Sequence, residues 1–230
     1  MGNTLSGFKF YLFLKKKNDF VIRNSTNNNT ELTCEGFPRS ANSYAYHYIE
    51  YWNKNIIMAR HIHLAGQILF SIKKKIPTIV LIRHPLDAIA SLSIGYPRLN
   101  INIITWSYYN FYKNIYRYRS NIVISNFDSS TKTMNDIIKR VNKKYKRSFI
   151  PGVSDAKLKN KIFHHLSLHA KSTNKPELIG IPSKIKSIKK TQKHSSIKSC
   201  KYYSQCESIY KKLTTMNITN LDNEKNSLPL

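Results

Sequence analysis

The sequence predicts an α/β fold in three layers: a central parallel sheet, helices on both of its faces, and a helical, Lys-rich C-terminal part. Short apolar segments of strand character alternate with segments of helical periodicity from Glu31 to Tyr145, an order that builds parallel strands joined by helical crossovers. The run Thr78-Ile79-Val80-Leu81-Ile82 is apolar without alternation, the pattern of a strand covered on both faces. The 230 residues are 41 % apolar and 12 % aromatic, enough for one domain to bury a core despite its charge.

Each element follows from local pattern. Residues 1–30 read as an N-terminal extension closing in Asn24-Ser25-Thr26-Asn27-Asn28-Asn29-Thr30, a polar tract with turn chemistry. A strand over Glu31–Glu35 leads into Gly36-Phe37-Pro38-Arg39-Ser40, after which Ala41, Tyr44, Ala45, Tyr48 and Trp52 recur at helical spacing. Asn55–Arg60 predicts a second strand, and Leu64–Lys74 an amphipathic helix whose closing lysines suit the negative end of the helix dipole. After the Thr78–Ile82 strand, Pro85 suits the first turn of a helix over Pro85–Ser93. A Tyr-rich helix over Asn102–Arg119, a strand over Asn121–Phe127 and a helix over Met134–Tyr145 continue the alternation. Beyond Pro151 the pattern is helical and rich in lysine, so residues 31–215 form the α/β domain and residues 216–230 a polar tail.

The chain carries 38 basic and 12 acidic side chains, a formal net charge of +26. That balance points to anionic partners without choosing among nucleic acid, membrane surface, acidic glycan and phosphorylated small molecule. The excess is uneven, with 21 basic and 4 acidic residues between Lys132 and Lys212. Heavy use of Lys, Ile and Asn is also what compositional drift produces, so position says more than the total. Cys34, Cys200 and Cys206 lack the spacing of a disulfide framework or a structural zinc site and fit a reducing compartment, although Cys200 and Cys206 could pair. No segment approaches the roughly 18 apolar residues of a membrane span, which predicts a soluble, cytoplasmic protein. Met1-Gly2-Asn3-Thr4-Leu5-Ser6 fits the acylation pattern M-G-x-x-x-S. In a eukaryotic host Gly2 is thus a candidate acylation site, with Lys9 and Lys15 to Lys17 as candidate peripheral membrane contacts.

In an open parallel sheet the ligand site lies beyond the carboxyl ends of the strands, where each loop feeds a helix. The candidate here is the segment from Gly36 to Ser43. Backbone N–H groups from Ser40 to Ser43 would form the unsatisfied first turn of a helix, and the Ser40 and Ser43 hydroxyls with the Arg39 guanidinium would add donors for a phosphate. The plainer alternative is that Ser40 caps the helix and Pro38 shapes the turn. A nucleoside triphosphatase loop is excluded, because its G-x-x-x-x-G-K-[ST] signature needs a Gly-Lys pair that the chain lacks. The buried strand ending at Ile82 is followed by Arg83 where a magnesium-binding aspartate would stand, a cation that calls for a second anionic group and no metal.

These residues resemble the sulfotransferase superfamily, in which a P-[RK]-S-G-T-x loop cradles the 5′-phosphosulfate of 3′-phosphoadenylyl sulfate and R-x-P-x-D-x-x-x-S carries the 3′-phosphate. Both patterns stand here in order, as Pro38-Arg39-Ser40-Ala41-Asn42-Ser43 and as Arg83-His84-Pro85-Leu86-Asp87-Ala88-Ile89-Ala90-Ser91. The likeness to a microbial branch extends through Glu35-Gly36-Phe37, His61-Ile62-His63, Asn126-Phe127-Asp128 and Val141-Asn142, covering about Glu31 to Phe149. It implies a P-loop-like sulfotransferase fold, 3′-phosphoadenylyl sulfate as donor, and donor binding by Pro38, Arg39, Ser40, Ala41, Asn42, Ser43, Arg83 and Ser91. Two departures stand out. Ala41 occupies a position where most of the family has glycine, and the Arg-Lys-Gly element that helps to hold the 3′-phosphate in cytosolic members is not recognisable. A lysine of the Lys184 to Lys193 cluster could replace that element, but nothing in the sequence selects one.

The implied reaction moves a sulfuryl group to a hydroxyl or amine of an unknown acceptor by in-line displacement, in which the protein positions the partners and neutralises the leaving phosphate. Arg39 is the candidate for that neutralisation. A histidine of near-neutral pKa suits the base that takes the acceptor's proton. His61 and His63 follow the second strand and share one face if strand geometry continues. His61 is the preferred base, with His63 lining the acceptor site; the competing roles for the pair are metal ligation and simple structural hydrogen bonding. His84 reads as a turn residue, and the tyrosines of the aromatic helix chiefly as core, one or two of them able to line an acceptor or adenine pocket. The acceptor could be an acidic glycan or lipid. The alternative function is a non-enzymatic basic module for nucleic acid or anionic membrane, a degenerate sulfotransferase included. The lysine-rich segments lack the spaced aromatics of a single-strand binding platform, which disfavours nucleic acid. A kinase is disfavoured by the absent Walker lysine.

Overall fold

The computed structural model describes residues 19–172 and 181–225. Four parallel strands form one sheet, β1 (Leu32–Gly36), β2 (Met58–Arg60), β3 (Thr78–Ile82) and β4 (Val123–Asn126), in the order β2-β1-β3-β4. Among the described residues the helices are α1 (Asp19–Asn24), α2 (Asn42–Trp52), α3 (Ala65–Lys73), α4 (Pro85–Gly95), α5 (Ile101–Tyr116), α6 (Phe127–Lys132), α7 (Met134–Tyr145), α8 (Ala156–Ser172), α9 (Lys184–Lys198) and α10 (Tyr203–Lys225). This is the α/β architecture expected, a parallel sheet flanked by helices with a helical C-terminal part.

The continuous apolar run of β3 is explained by the two cores that it separates. Ile79 and Leu81 pack with Leu32, Cys34 and the apolar sides of α2, α7 and α8. Val80 and Ile82 point the other way, into a cluster with α3, α4, α5, Ile197 of α9 and Tyr203, Cys206, Ile209 and Leu213 of α10. Period-two alternation within a wholly buried strand thus feeds two opposite cores. In α7 the buried Met134, Ile137, Ile138 and Val141 keep three-four spacing, and that apolar stripe seats the helix. Asn100 caps α5 and Asn126 caps α6, each accepting from a first-turn N–H at 2.8 Å.

The structure revises several boundaries. β2 begins at Met58, not Asn55, because the chain leaves α2 through a turn in which Asn55 takes φ 65°. The strand expected over Asn121–Phe127 contracts to Val123–Asn126, since Asn126 caps a helix that starts at Phe127. α1 lies within the segment read as an N-terminal extension, and the backbone of α10 continues past residue 216 to Lys225. The acylation motif and its following lysines lie outside the described residues. Among the described residues no helix is long and apolar enough to cross a membrane. Cys34, Cys200 and Cys206 are free, buried thiols. Cys206, bonded to the Thr105 carbonyl at 3.3 Å, is pushed up to about 12 by burial.

Candidate functional site

The chain moves from β1 to β2 on one side and then crosses back to β3 on the other, so the strand order reverses between β1 and β3. In open α/β sheets that reversal opens a crevice beyond the carboxyl ends of the two strands. The loop after β1 carries Pro38 to Ala41, and the loop after β3 carries Arg83 and His84. Gly36 lets the two loops meet. A Cβ at Gly36 would lie 2.5 Å from the Leu81 carbonyl oxygen and 2.9 Å from Leu81 Cβ, so any side chain would push β1 off β3.

The β1 loop turns sharply into α2. Arg39 and Ala41 both take φ 72°, the left-handed region. Ala41 is the residue before α2 and makes no side-chain cap bond to its first turn. The left-handed conformation also supplies the physical reason a glycine would suit this position. Ser40 is fully buried; its N–H bonds the Phe37 carbonyl at 3.3 Å, and its hydroxyl lies 3.5 Å from the Tyr112 hydroxyl. Asn42 braces the turn by donating from Nδ2 to the Phe37 carbonyl at 3.0 Å.

Arg39 and Ser91, which the two motifs place 52 residues apart, come together: Arg39 Nε donates to Ser91 Oγ at 2.9 Å. Arg83 Nη1 donates to the Arg39 carbonyl at 3.2 Å, and the Arg83 guanidinium carbon lies over the Phe127 ring, 3.9 Å from its centroid. Burial holds both guanidinium pKa values below the ordinary arginine range, and Arg83 adds to the effect on Arg39. The tyrosines of α5 support the loops from below. Tyr108 donates to the Arg83 carbonyl at 2.7 Å, while Tyr112 donates to the Leu81 carbonyl at 2.8 Å and lies 3.4 Å from the Phe37 N–H. Both rings are fully buried, so these tyrosines hold strand ends and line no open pocket.

His61 and His63 are neighbours, with ring centroids 5.8 Å apart, but not through strand alternation. β2 ends at Arg60, and both histidines take φ 57°, in the left-handed region and outside strand geometry. Their environments differ in kind. His61 Nδ1 faces Arg60 Nη1 at 3.1 Å, and a guanidinium can only donate, so Nδ1 carries the lone pair and Nε2 the proton. Nε2 lies 3.3 Å from Ser43 Oγ, tying the histidine to α2. Burial, followed by the positive charges around it, lowers the His61 pKa to about 4.

His63 is the reverse case. Its Nδ1 lies 2.8 Å from the Gly36 carbonyl and 3.3 Å from Glu35 Oε1, two acceptors that fix the proton on Nδ1 and leave the Nε2 lone pair on the opposite edge of the ring. Burial opposes the imidazolium, yet the Glu35 carboxylate overcomes it and raises the His63 pKa. Glu35 is wholly buried in β1. Its carboxylate also accepts from the Gly36 N–H at 3.1 Å, the Ile62 N–H at 2.8 Å and Gln67 Nε2 at 2.9 Å. Burial alone would raise the Glu35 pKa; His63 leads the contacts that bring it below the ordinary value.

The structure therefore brings the Pro38–Ser43 loop, Arg83, Ser91, His61 and His63 to the carboxyl ends of the strands. Glu35 and Arg60 are additions that the sequence did not single out for a role. Glu35 could have been noticed as the one charged residue in a short buried strand. A surface cavity of about 510 Å³ borders Arg60 and Tyr46, the two side chains stacked against each other beside His61. Among the described residues no three His, Cys, Asp or Glu groups converge as metal ligands. No protein-family model and no curated protein matches the chain.

Proposed function

We propose that the chain is a sulfotransferase with the P-loop-like fold of that superfamily, moving a sulfuryl group from 3′-phosphoadenylyl sulfate to a hydroxyl or amine. The observation that carries this reading is the meeting of two motifs at the β1/β3 crevice: Arg39 bonds Ser91 at 2.9 Å and Arg83 bonds the Arg39 backbone at 3.2 Å. Arg39 and the open N-terminus of α2 offer donors to the 5′-phosphosulfate, and Arg83 with Ser91 offers them to the 3′-phosphate.

The geometry favours His63 as the base in place of His61. The His61 lone pair is engaged by Arg60, and its imidazole is a weak base. His63 is oriented by Glu35, is more basic than an ordinary histidine, and has Nε2 left to receive a proton. As the acceptor oxygen bonds sulfur, the bond from sulfur to the leaving phosphate oxygen breaks; the acceptor's proton passes to His63 Nε2, and Arg39 meets the charge on the phosphate. The basic rim at Arg60 suits an acidic acceptor.

Adenosine 3′,5′-bisphosphate, the desulfated product, should raise the thermal midpoint of the full chain, because a ligand held only by the native state stabilises it by mass action. Arg83→Ala should abolish that rise. Absence of any shift at millimolar nucleotide overturns the reading, and affinity for DNA or anionic vesicles that falls steeply with salt would favour a basic binding module instead.

A further inference from the structure

We propose that the outward face of α5 is a membrane-docking surface, by which the chain lies on a bilayer containing anionic lipid. Ile103, Trp106, Asn110 and Lys113 recur at intervals of three or four and so fall on one side of the helix; Arg117, just past its last turn, continues the series. The opposite side, with Ile104, Tyr108, Phe111, Tyr112 and Ile115, is buried in the core. One end of the outward face is apolar, with Ile103 60 % exposed and Trp106 45 % exposed. Tyr96, Arg98 and Leu99, in the turn that leads into α5, are exposed as well.

The other end of the face is basic. Lys113 and Arg117 join Lys73, the last residue of α3, around a surface cavity of about 520 Å³ that Leu69 and Ile72 also line. Neither helix contains a carboxylate, and between Glu50 and Asp128 the one acidic residue is Asp87, which faces Arg83 at 3.7 Å in the crevice. An occupant must satisfy both ends. Nucleic acid would engage the cations and stack on Trp106 but leave Leu99 and Ile103 in water. An anionic bilayer serves both, because aliphatic side chains enter the acyl boundary, Trp and Tyr rings sit at headgroup level, and lysine and arginine meet phosphate and carboxylate groups. The cavity at the basic end suits one lipid headgroup, with Lys73, Lys113 and Arg117 as donors. The surface is independent of the sulfotransferase reading, since the series from Ile103 to Arg117 shares no residue with the motif loops of the β1/β3 crevice.

Co-sedimentation of the full chain, produced without acylation, with phosphatidylcholine vesicles tests this. Vesicles that also contain phosphatidylserine should bind the chain and neutral ones should bind it far more weakly. Lys113→Ala and Arg117→Ala should each weaken binding about fivefold, the scale of one cation near an anionic surface, and Trp106→Ala about tenfold. Lys54→Ala, an exposed cation beyond α2, should change nothing. Brominated lipid gives a second readout that needs no destabilising variant. It should quench the fluorescence of Trp106 in the bound chain, whereas Trp52, the other tryptophan, packs with the core on the opposite side of the sheet; Trp106→Phe should therefore remove the quenched component. Failure to bind the mixed vesicles overturns the proposal, as does binding that survives all the α5 substitutions, which places the contact elsewhere, the amino-terminal lysines included. Affinity for DNA in place of vesicles, weakened by the same substitutions, also overturns it. None of these failures touches the nucleotide-induced rise in thermal midpoint, so vesicle binding with that rise describes a membrane-docked enzyme, and vesicle binding without it a docked module with no sulfotransferase activity.

Discussion

Glu35 and His63 make the sharpest claim at the scale of single residues. If His63 is the base, it must be neutral to act, and its raised pKa places the acid limb of the rate profile above pH 6.5, the ordinary histidine value. Were His61 the base, the limb would lie near its own pKa of about 4. Glu35→Gln removes the negative charge that raises His63, so the limb should move to lower pH and the maximal rate should fall, because a weaker base accepts the proton less readily. The same variant should lose roughly 2 kcal/mol of stability at neutral pH, since three donors besides His63 face that carboxylate. The sign follows from linkage: Glu35 titrates lower in the folded chain than in the unfolded one, so its contribution is full above the unfolded value and is lost as pH falls through the folded value. A pH–rate series and a denaturant titration at pH 7 measure the two effects. His61 and His63 were legible as a pair from their spacing beyond a strand. Their division of labour was not, because it depends on contacts with Arg60 at the end of β2 and Glu35 in β1, and on two left-handed backbone positions that no sequence pattern announces.

At the scale of elements, the pairing of β1 with β3 decides whether the two loops meet. Gly36→Ala places a methyl group 2.5 Å from the Leu81 carbonyl, backbone that cannot swing aside. The cost should be about 2 kcal/mol or more, the range of overpacked interiors, and nucleotide affinity should fall with it as the crevice shifts; paired unfolding and binding curves would check this. A variant as stable as the parent would mean that β1 and β3 are not so closely paired. Elements with strong periodicity were legible in the sequence: β3 and α7 occupy their predicted spans, Thr78–Ile82 and Met134–Tyr145. Elements governed by turns were not. The Asn-rich exit from α2 shortens β2, and Asn126 reads equally well as the last residue of a strand or the cap of a helix until its hydrogen bond to Ser129 N–H is seen. The aromatic helix shows the same limit, for α5 was legible as core while the hydroxyls of Tyr108 and Tyr112 hold the backbones of Arg83 and Leu81.

At the scale of the molecule, the lysine-rich C-terminal part is not a basic appendage. Ile197, Cys200, Tyr203, Cys206, Ile209 and Leu213 are buried in the core beneath α4 and α5. A chain ending at residue 180 would expose that face and should lose cooperative unfolding, observable as a broad, shallow thermal transition beside the sharp one of the full chain. If the shortened chain unfolds as sharply as the full one, α9 and α10 form a separate layer. Composition could report the charge of this region but not its inward side, since six buried positions spread over α9, α10 and the turn between them are masked by the lysines among them. The location of these six residues also bears on biosynthesis. The loops of β1 and β3 leave the ribosome early, yet the underside of α4 stays uncovered until α10 has emerged, well over a hundred residues later. At typical elongation rates of about 5–20 residues per second, the nascent chain spends on the order of ten seconds with that apolar face open. A chaperone that recognises exposed apolar helices would find its target on the ribosome, and the core beneath α4 would close only once α10 had been made.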